Sequence, residues 1–206
     1  MKHLEIISKE GKIEIGNKAI SELDKFVFEI TSKLAKLTDY VIVSGYIAIL
    51  FGRSRTTEDI DILIKPIEFS AFVEFLKDIS KDFWVINPGN AEVLYGMLTD
   101  SLAIRIARKN EIIPNAEIKF AQKIIDMTTL ENSIEVIINN KNRIRISPLE
   151  LQIAYKLFLG SEKDILDAVH LYELLKSIID LEKINYWISY LGVDKDLVKK
   201  IIGASK

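Results

Sequence analysis

Between Tyr40 and Lys65 the sequence changes period three times, and these changes restrict the fold more than any other feature of the chain. Tyr40 to Val43 is a short continuous apolar run of strand type. Ser44 and Gly45 end it, Tyr46 to Phe51 reads as a short buried helix, and Gly52 closes that helix. Arg53 to Glu58 is a polar loop. From Asp59 to Lys65 the residues alternate, so Ile60, Ile62 and Ile64 point to one face of a strand while Asp59, Asp61 and Leu63 point to the other. Two carboxylates then stand side by side, about 7 Å apart at the backbone, where they can share a divalent cation.

The rest of the chain places this segment in a mixed α/β (α+β) context. Leu4 to Ile7 and Lys12 to Ile15 alternate around Gly11 and read as a hairpin. Asn17 is the expected cap of a helix from Ala19 to Leu37, whose apolar residues recur at three- and four-residue steps. Glu68 to Ile79 and Asn90 to Thr99 are expected helices, Ser101 to Ala107 and Ala116 to Ala121 expected strands. Ile134 to Ile138 and Arg143 to Ile146 form a hairpin across Asn139 to Asn142. At Ser147 and Pro148 the texture changes: Leu149 to Phe158, Glu162 to Lys176, Leu181 to Leu191 and Asp194 to Ile202 are all helical in period. The expected division is therefore residues 1–146, a twisted mixed sheet with flanking helices, and residues 147–206, a helical bundle forming one wall of a shared cleft.

Composition narrows the chemistry. The chain has 206 residues, with 28 Lys plus Arg against 30 Asp plus Glu, so no global cationic field exists to hold nucleic acid. Without cysteine, and with two histidines, thiolate and histidine metal clusters are excluded. Any metal must be held by carboxylates, which favours Mg²⁺ or Mn²⁺ over zinc. Residues 1–10 are charged and do not read as a signal peptide, and Tyr40 to Gly52 falls short of the roughly 20 apolar residues that span a bilayer. The expected location is the cytoplasm, with no membrane association.

An Asp-x-Asp pair is weak evidence by itself, since 13 aspartates in 206 residues produce roughly one by chance. A second pair, Asp194 and Asp196, opens an expected helix, where capping explains it. Context distinguishes the first. Gly45 at a strand-to-helix turn lets a phosphate approach the backbone, the following helix presents free N–H groups, and Ser44 adds a hydroxyl. Arg53 and Arg55 either hold phosphate oxygens of a substrate or its acceptor through their guanidinium forks or form a solvated loop that pairs with Glu58. Lys156 lies in an apolar helical stretch, so it either snorkels to the surface or reaches the cleft. Asp164 and Asp167 either orient Lys156 or act as first-turn acids stabilised by the helix dipole. His170, between Val169 and Leu171, reads as a hydrogen-bonded structural histidine, and Tyr186, Trp187 and Tyr190 as helix-packing aromatics.

The stretch VSGYIAILFGRSRTTEDIDILI resembles the signature of the nucleotidyltransferase superfamily: a hydrophobic residue, Gly and Gly or Ser, about ten residues, then an Asp-hydrophobic-Asp strand. The stretch ISPLELQIAYKLFLGSEKDILDAVHLYEL resembles the helical part of AbiE-type toxin nucleotidyltransferases and related prokaryotic proteins, in which a Lys on one helix precedes a Lys-Asp or Arg-Asp pair on the next. Tyr46 stands where the first pattern has a small residue. The resemblance implies a third carboxylate on a neighbouring strand. Glu117 is the candidate, the other reading being an exposed charge paired with Lys119 or Lys123.

The resemblance implies a metal-dependent enzyme that transfers a nucleoside monophosphate from a nucleoside triphosphate to an acceptor hydroxyl. Asp59, Asp61 and Glu117 would be catalytic and metal-binding, and Ser44, Gly45, Arg53, Arg55, Lys156 and Asp164 would bind the nucleotide. RNA (a tRNA in particular) or protein is the implied acceptor, with an antitoxin partner or a homo-oligomer as the implied assembly. The alternative is an inactive nucleotide-binding or regulatory module on the same fold, and a third reading is a structural protein whose carboxylates simply face solvent.

Overall fold

The computed structural model describes residues 4–9, 11–194, 196, 198 and 199. Among them the chain forms nine strands and eight helices. In chain order these are β1 (Glu5–Lys9), β2 (Lys12–Gly16), α1 (Glu22–Leu37), β3 (Tyr40–Ile42), α2 (Gly45–Leu50), β4 (Asp59–Ile64), α3 (Phe69–Ile79), β5 (Phe83–Val85) and α4 (Ala91–Thr99). They continue with β6 (Ile104–Arg108), β7 (Asn115–Phe120), α5 (Ile124–Glu131), β8 (Ile134–Ile138), β9 (Asn142–Ile146), α6 (Leu149–Leu159), α7 (Glu162–Leu175) and α8 (Leu181–Leu191).

All nine strands form one mixed sheet in the order β1-β2-β8-β9-β3-β4-β7-β6-β5. The β8–β9 hairpin turns through Asn139 and Asn140, at φ 51° and 57°, the left-handed pair that matches strand twist in a tight turn. It then inserts between β2 and β3, parallel to both. At the centre β4 runs antiparallel to β3 and parallel to β7. The alternation expected for β4 is present: Ile60, Ile62 and Ile64 are buried and Asp59, Asp61 and Leu63 only partly so.

The start of the first long helix is corrected. The first long helix starts at Glu22, because Ser21 and Asp24 form a capping box in which each side chain takes the other's backbone N–H. Asn17, at φ 57°, instead turns the chain after β2. Strand β5 and helix α5 carry no clear period in the sequence. The latter contains Thr128 and Thr129, whose hydroxyls bond back to the carbonyls of Ile124 and Ile125, an arrangement neutral to unfavourable for helix. The expected helix from Asp194 to Ile202 falls largely outside the described residues. At its start the Asp194 carboxylate accepts the Asp196 N–H at 2.7 Å, as capping requires.

One hydrophobic core joins the sheet to the C-terminal helices, running from Ile13, Phe26 and Ile47 to Leu157, Leu171 and Ile184. The helices after β9 thus cover the sheet. Among the described residues no helix is long and apolar enough to cross a membrane.

Candidate active site

Strand β3 delivers the chain to Ser44, whose backbone lies at φ 64°, ψ −135°, a strained region for any residue but glycine. Gln152 on α6 holds it there: the Ser44 N–H donates to Gln152 Oε1 at 3.2 Å, and Gln152 Nε2 donates to the Ser44 carbonyl at 2.9 Å. The strained turn is therefore pinned to the helical layer. Gly45 begins α2, and the guanidinium of Arg55 lies where a side chain at that position would go. The lack of a Cβ at Gly45 makes room for Arg55.

Across from this turn, Asp59 and Asp61 project from the same face of β4. Thr57 Oγ1 donates to Asp59 Oδ1 at 3.1 Å. The register of the parallel β4–β7 pair places Asp61 directly beside Glu117. Glu117 does not pair with Lys119 or Lys123 as its alternative reading expected. Arg105, opposite it on β6, holds Glu117 Oε1 through Nε at 2.8 Å and a terminal nitrogen at 2.6 Å. Burial pushes the Asp61 carboxyl up from its usual range, and the negative charges of Asp59 and Glu117 push it further.

That crowding is the observation against which a metal is tested. Carboxylates with uncompensated charge and no nitrogen or sulfur ligand suit a hard divalent cation. Asp59 and Asp61 are the pair that would hold it. Among the described residues no three acidic or histidine side chains are gathered as a ligand set, and Glu117 is turned to Arg105.

A cleft of about 340 Å³ opens in front of Asp61 and Glu117, a volume within the range of small-ligand sites. Its other walls come from α5, through Ile125 and Asp126, and from α6, through Leu151 and Tyr155. Burial raises the Tyr155 phenol, with Asp126 and Asp61 adding to the effect.

Beside the carboxylates lies a compact ionic cluster. Lys156 neither snorkels nor lines the cleft: it is 2% exposed and reaches Asp164 at 2.6 Å and Asp167 at 3.2 Å. Arg53 and Arg55 bond not with Glu58 but with Asp167, Arg55 Nε lying 3.3 Å from Oδ1. Arg53 also donates to the Lys163 carbonyl at 2.9 Å. Burial lowers the Lys156 ammonium while Asp164 supports its charge. For Asp164, burial alone would raise the carboxyl, yet hydrogen bonds from Lys156 and Ser161 bring it below its ordinary range. Burial and the charge of Arg53 lower Arg55. The structure thus gathers Ser44, Gly45, Asp59, Asp61 and Glu117 at one place and Arg53, Arg55, Lys156 and Asp164 at its flank.

Sequence reasoning missed Gln152 and Arg105. Gln152 had a signal, because it stands one helical turn before Lys156 on an otherwise apolar face. Arg105 had none without the strand register.

Tyr46 points away from the cleft. Fully buried, it donates its phenol proton to Asp24 Oδ1 at 2.8 Å, so its bulk serves the contact with α1. Tyr46→Phe is expected to cost about 1.5–3 kcal/mol of stability, read by urea denaturation, while nucleotide affinity stays unchanged. An affinity change without a stability change would place Tyr46 in the site. His170 is structural as expected, with Nε2 3.0 Å from the Phe51 carbonyl.

The fold is similar to the crystal structure of an antigenic nucleotidyltransferase-like protein from Paracoccidioides brasiliensis. The match has a TM-score of 0.58 at 17% identity and covers 89% of this chain and 90% of that one. The chain has a nucleotidyltransferase-like fold. The JHP933 protein of Helicobacter pylori also matches, at 17% identity and a TM-score of 0.41, over 91% of this chain and 97% of that one. No family model matches the sequence, and a search of curated proteins finds no match. In the nucleotidyltransferase-like fold seen here, the carboxylate face of β4 and β7 opens onto the cleft, and α6 forms the opposite wall.

Proposed function

We propose that this chain transfers a nucleoside monophosphate from a nucleoside triphosphate to an acceptor hydroxyl, with Mg²⁺ or Mn²⁺ as cofactor. The observation that carries this reading is the register of β4 and β7, which sets Asp61 beside Glu117 at the mouth of the cleft with Asp59 on the same face. Bound at Asp59 and Asp61, a divalent cation would neutralise charge on the transferring phosphate. Arg53 and Arg55, whose side chains keep 16% and 18% exposure, would bind the outer phosphates. Glu117, released from Arg105, would accept the acceptor's hydroxyl proton as that oxygen bonds to the α-phosphorus and pyrophosphate leaves. A cytoplasmic protein acting on an RNA or protein acceptor, in a toxin-antitoxin pair or as a homo-oligomer, completes the proposal.

The Arg105–Glu117 pair favours one alternative, a module that binds nucleotide without turnover. Calorimetric titration of ATP, CTP, GTP and UTP with Mg²⁺, paired with an assay for released pyrophosphate, separates the two. Binding that Asp59→Ala/Asp61→Ala abolishes, with pyrophosphate released, supports the enzyme. The same binding without release in the presence of candidate acceptors supports the module, and no binding to the wild type removes both.

A further inference from the structure

Asp167 is an acidic group to which the proposed chemistry assigns no part. It is fully buried on α7, and three cations converge on it. Arg53 and Arg55 share Oδ1, and Lys156 takes Oδ2. Asp167 is held by these cations at the point where the loop leading into Asp59 meets the helical layer.

What Asp167 gathers flanks the candidate site. The seat of Arg55 over Gly45 is made by two features together, the missing side chain at Gly45 and the carboxylate of Asp167 behind the guanidinium. Arg53 and Arg55 are two residues apart on one loop, and the charge of Arg53 disfavours that of Arg55. Lys156, buried between Asp164 and Asp167, adds a third positive charge. These three cations meet Asp164 and Asp167 directly, while Asp59 acts on Arg55 and Asp61 on Lys156 from the carboxylate side. Without Asp167 the two arginines would lose the partner they share, and their mutual repulsion would favour moving outward into water.

We infer that Asp167 is a positioning residue that holds Arg53 and Arg55 with their forks set for the β and γ phosphates of a nucleoside triphosphate. The inference rests on the proposed nucleotide chemistry of this site. It differs in sign from simple electrostatics: removing a negative charge beside an anion site should tighten binding, whereas removing the group that orders the cations should weaken it.

The test is calorimetric titration, with Mg²⁺, of whichever of ATP, CTP, GTP and UTP the wild type binds most tightly, and of its monophosphate. In Asp167→Asn the triphosphate affinity is expected to fall about tenfold or more, while the monophosphate affinity changes less than about twofold. A general loosening of the fold would weaken both equally, and that result overturns the inference. So does tighter triphosphate binding, which would make Asp167 a competitor of the phosphates. Should the asparagine variant fail to fold, Asp167→Glu carries the test, since it keeps the charge and displaces the carboxylate by one methylene. The triphosphate-to-monophosphate ratio should again fall, and an unchanged ratio refutes the positioning role. A wild-type protein that binds no triphosphate removes the functional reading itself, whereas wild-type binding with an unaltered ratio in the variants removes only the role of Asp167.

Discussion

Asp61→Asn should make the metal-free protein more stable and the enzyme inactive. The Asp61 carboxyl is raised first by burial and then by the charges of Asp59 and Glu117, so ionising it is harder in the folded chain than in the unfolded one. An acid with a raised folded pKa favours the folded state below its unfolded pKa and loses that contribution as pH rises through the folded pKa. At neutral pH the ionised Asp61 therefore works against folding. Asparagine keeps the shape and an acceptor for Ser44 but carries no charge. The expected gain is about 1 kcal/mol, or a Tm rise of about 2–4 °C for a chain of this size, and it should vanish toward acid pH. Transfer should fall by about 10³-fold or more, the scale on which loss of a group stabilising transition-state charge is felt. Mg²⁺ should raise the Tm of the wild type and leave the variant unmoved. A variant less stable than wild type at pH 7 would show that Asp61 is a structural carboxylate, and retained transfer would remove it from the site.

The carboxylate pair was legible because its information is local. A strand has a two-residue period, so Ile60, Ile62 and Ile64 declare the buried face and Asp59 and Asp61 must share the other. The turn at Ser44 and Gly45 and the switch to helices at Pro148 were legible for the same reason. Partners set by register were not. Glu117 faces Arg105 because β6 and β7 pair with those residues opposite, and nothing within either segment fixes that alignment. Likewise Arg53 and Arg55 have Glu58 close in sequence, yet a buried carboxylate more than a hundred residues away draws them, because the low dielectric of the interior strengthens such a pairing. Helix α5 was missed because its two threonines and short length give no clear period, although it supplies a wall of the cleft.

Lys156→Met should be the most destabilising single change at the candidate site. Lys156 is 2% exposed, and its ammonium lies between Asp164 at 2.6 Å and Asp167 at 3.2 Å. Methionine fills similar volume but leaves two buried carboxylates short of a counter-charge, and breaking a buried ion pair from one side costs about 3–5 kcal/mol. The corresponding Tm loss is on the order of 10 °C. Asp167 retains Arg53 and Arg55, so most of the penalty falls on Asp164, whose low pKa depends on Lys156 and Ser161. A depressed carboxylate contributes stability above its unfolded pKa and loses it as pH falls through the folded one. The gap between wild type and variant should therefore be full at pH 7 and narrow as the solution is acidified through the ordinary carboxylate range. Lys156→Met/Asp164→Leu provides the complementary measurement, because an ion pair replaced by apolar residues on both sides is often neutral. The double variant should recover much of the loss seen in urea denaturation. If it does not, Asp164 does more than accompany Lys156, and a role for its carboxylate in ordering the start of α7 through Ser161 becomes the better account.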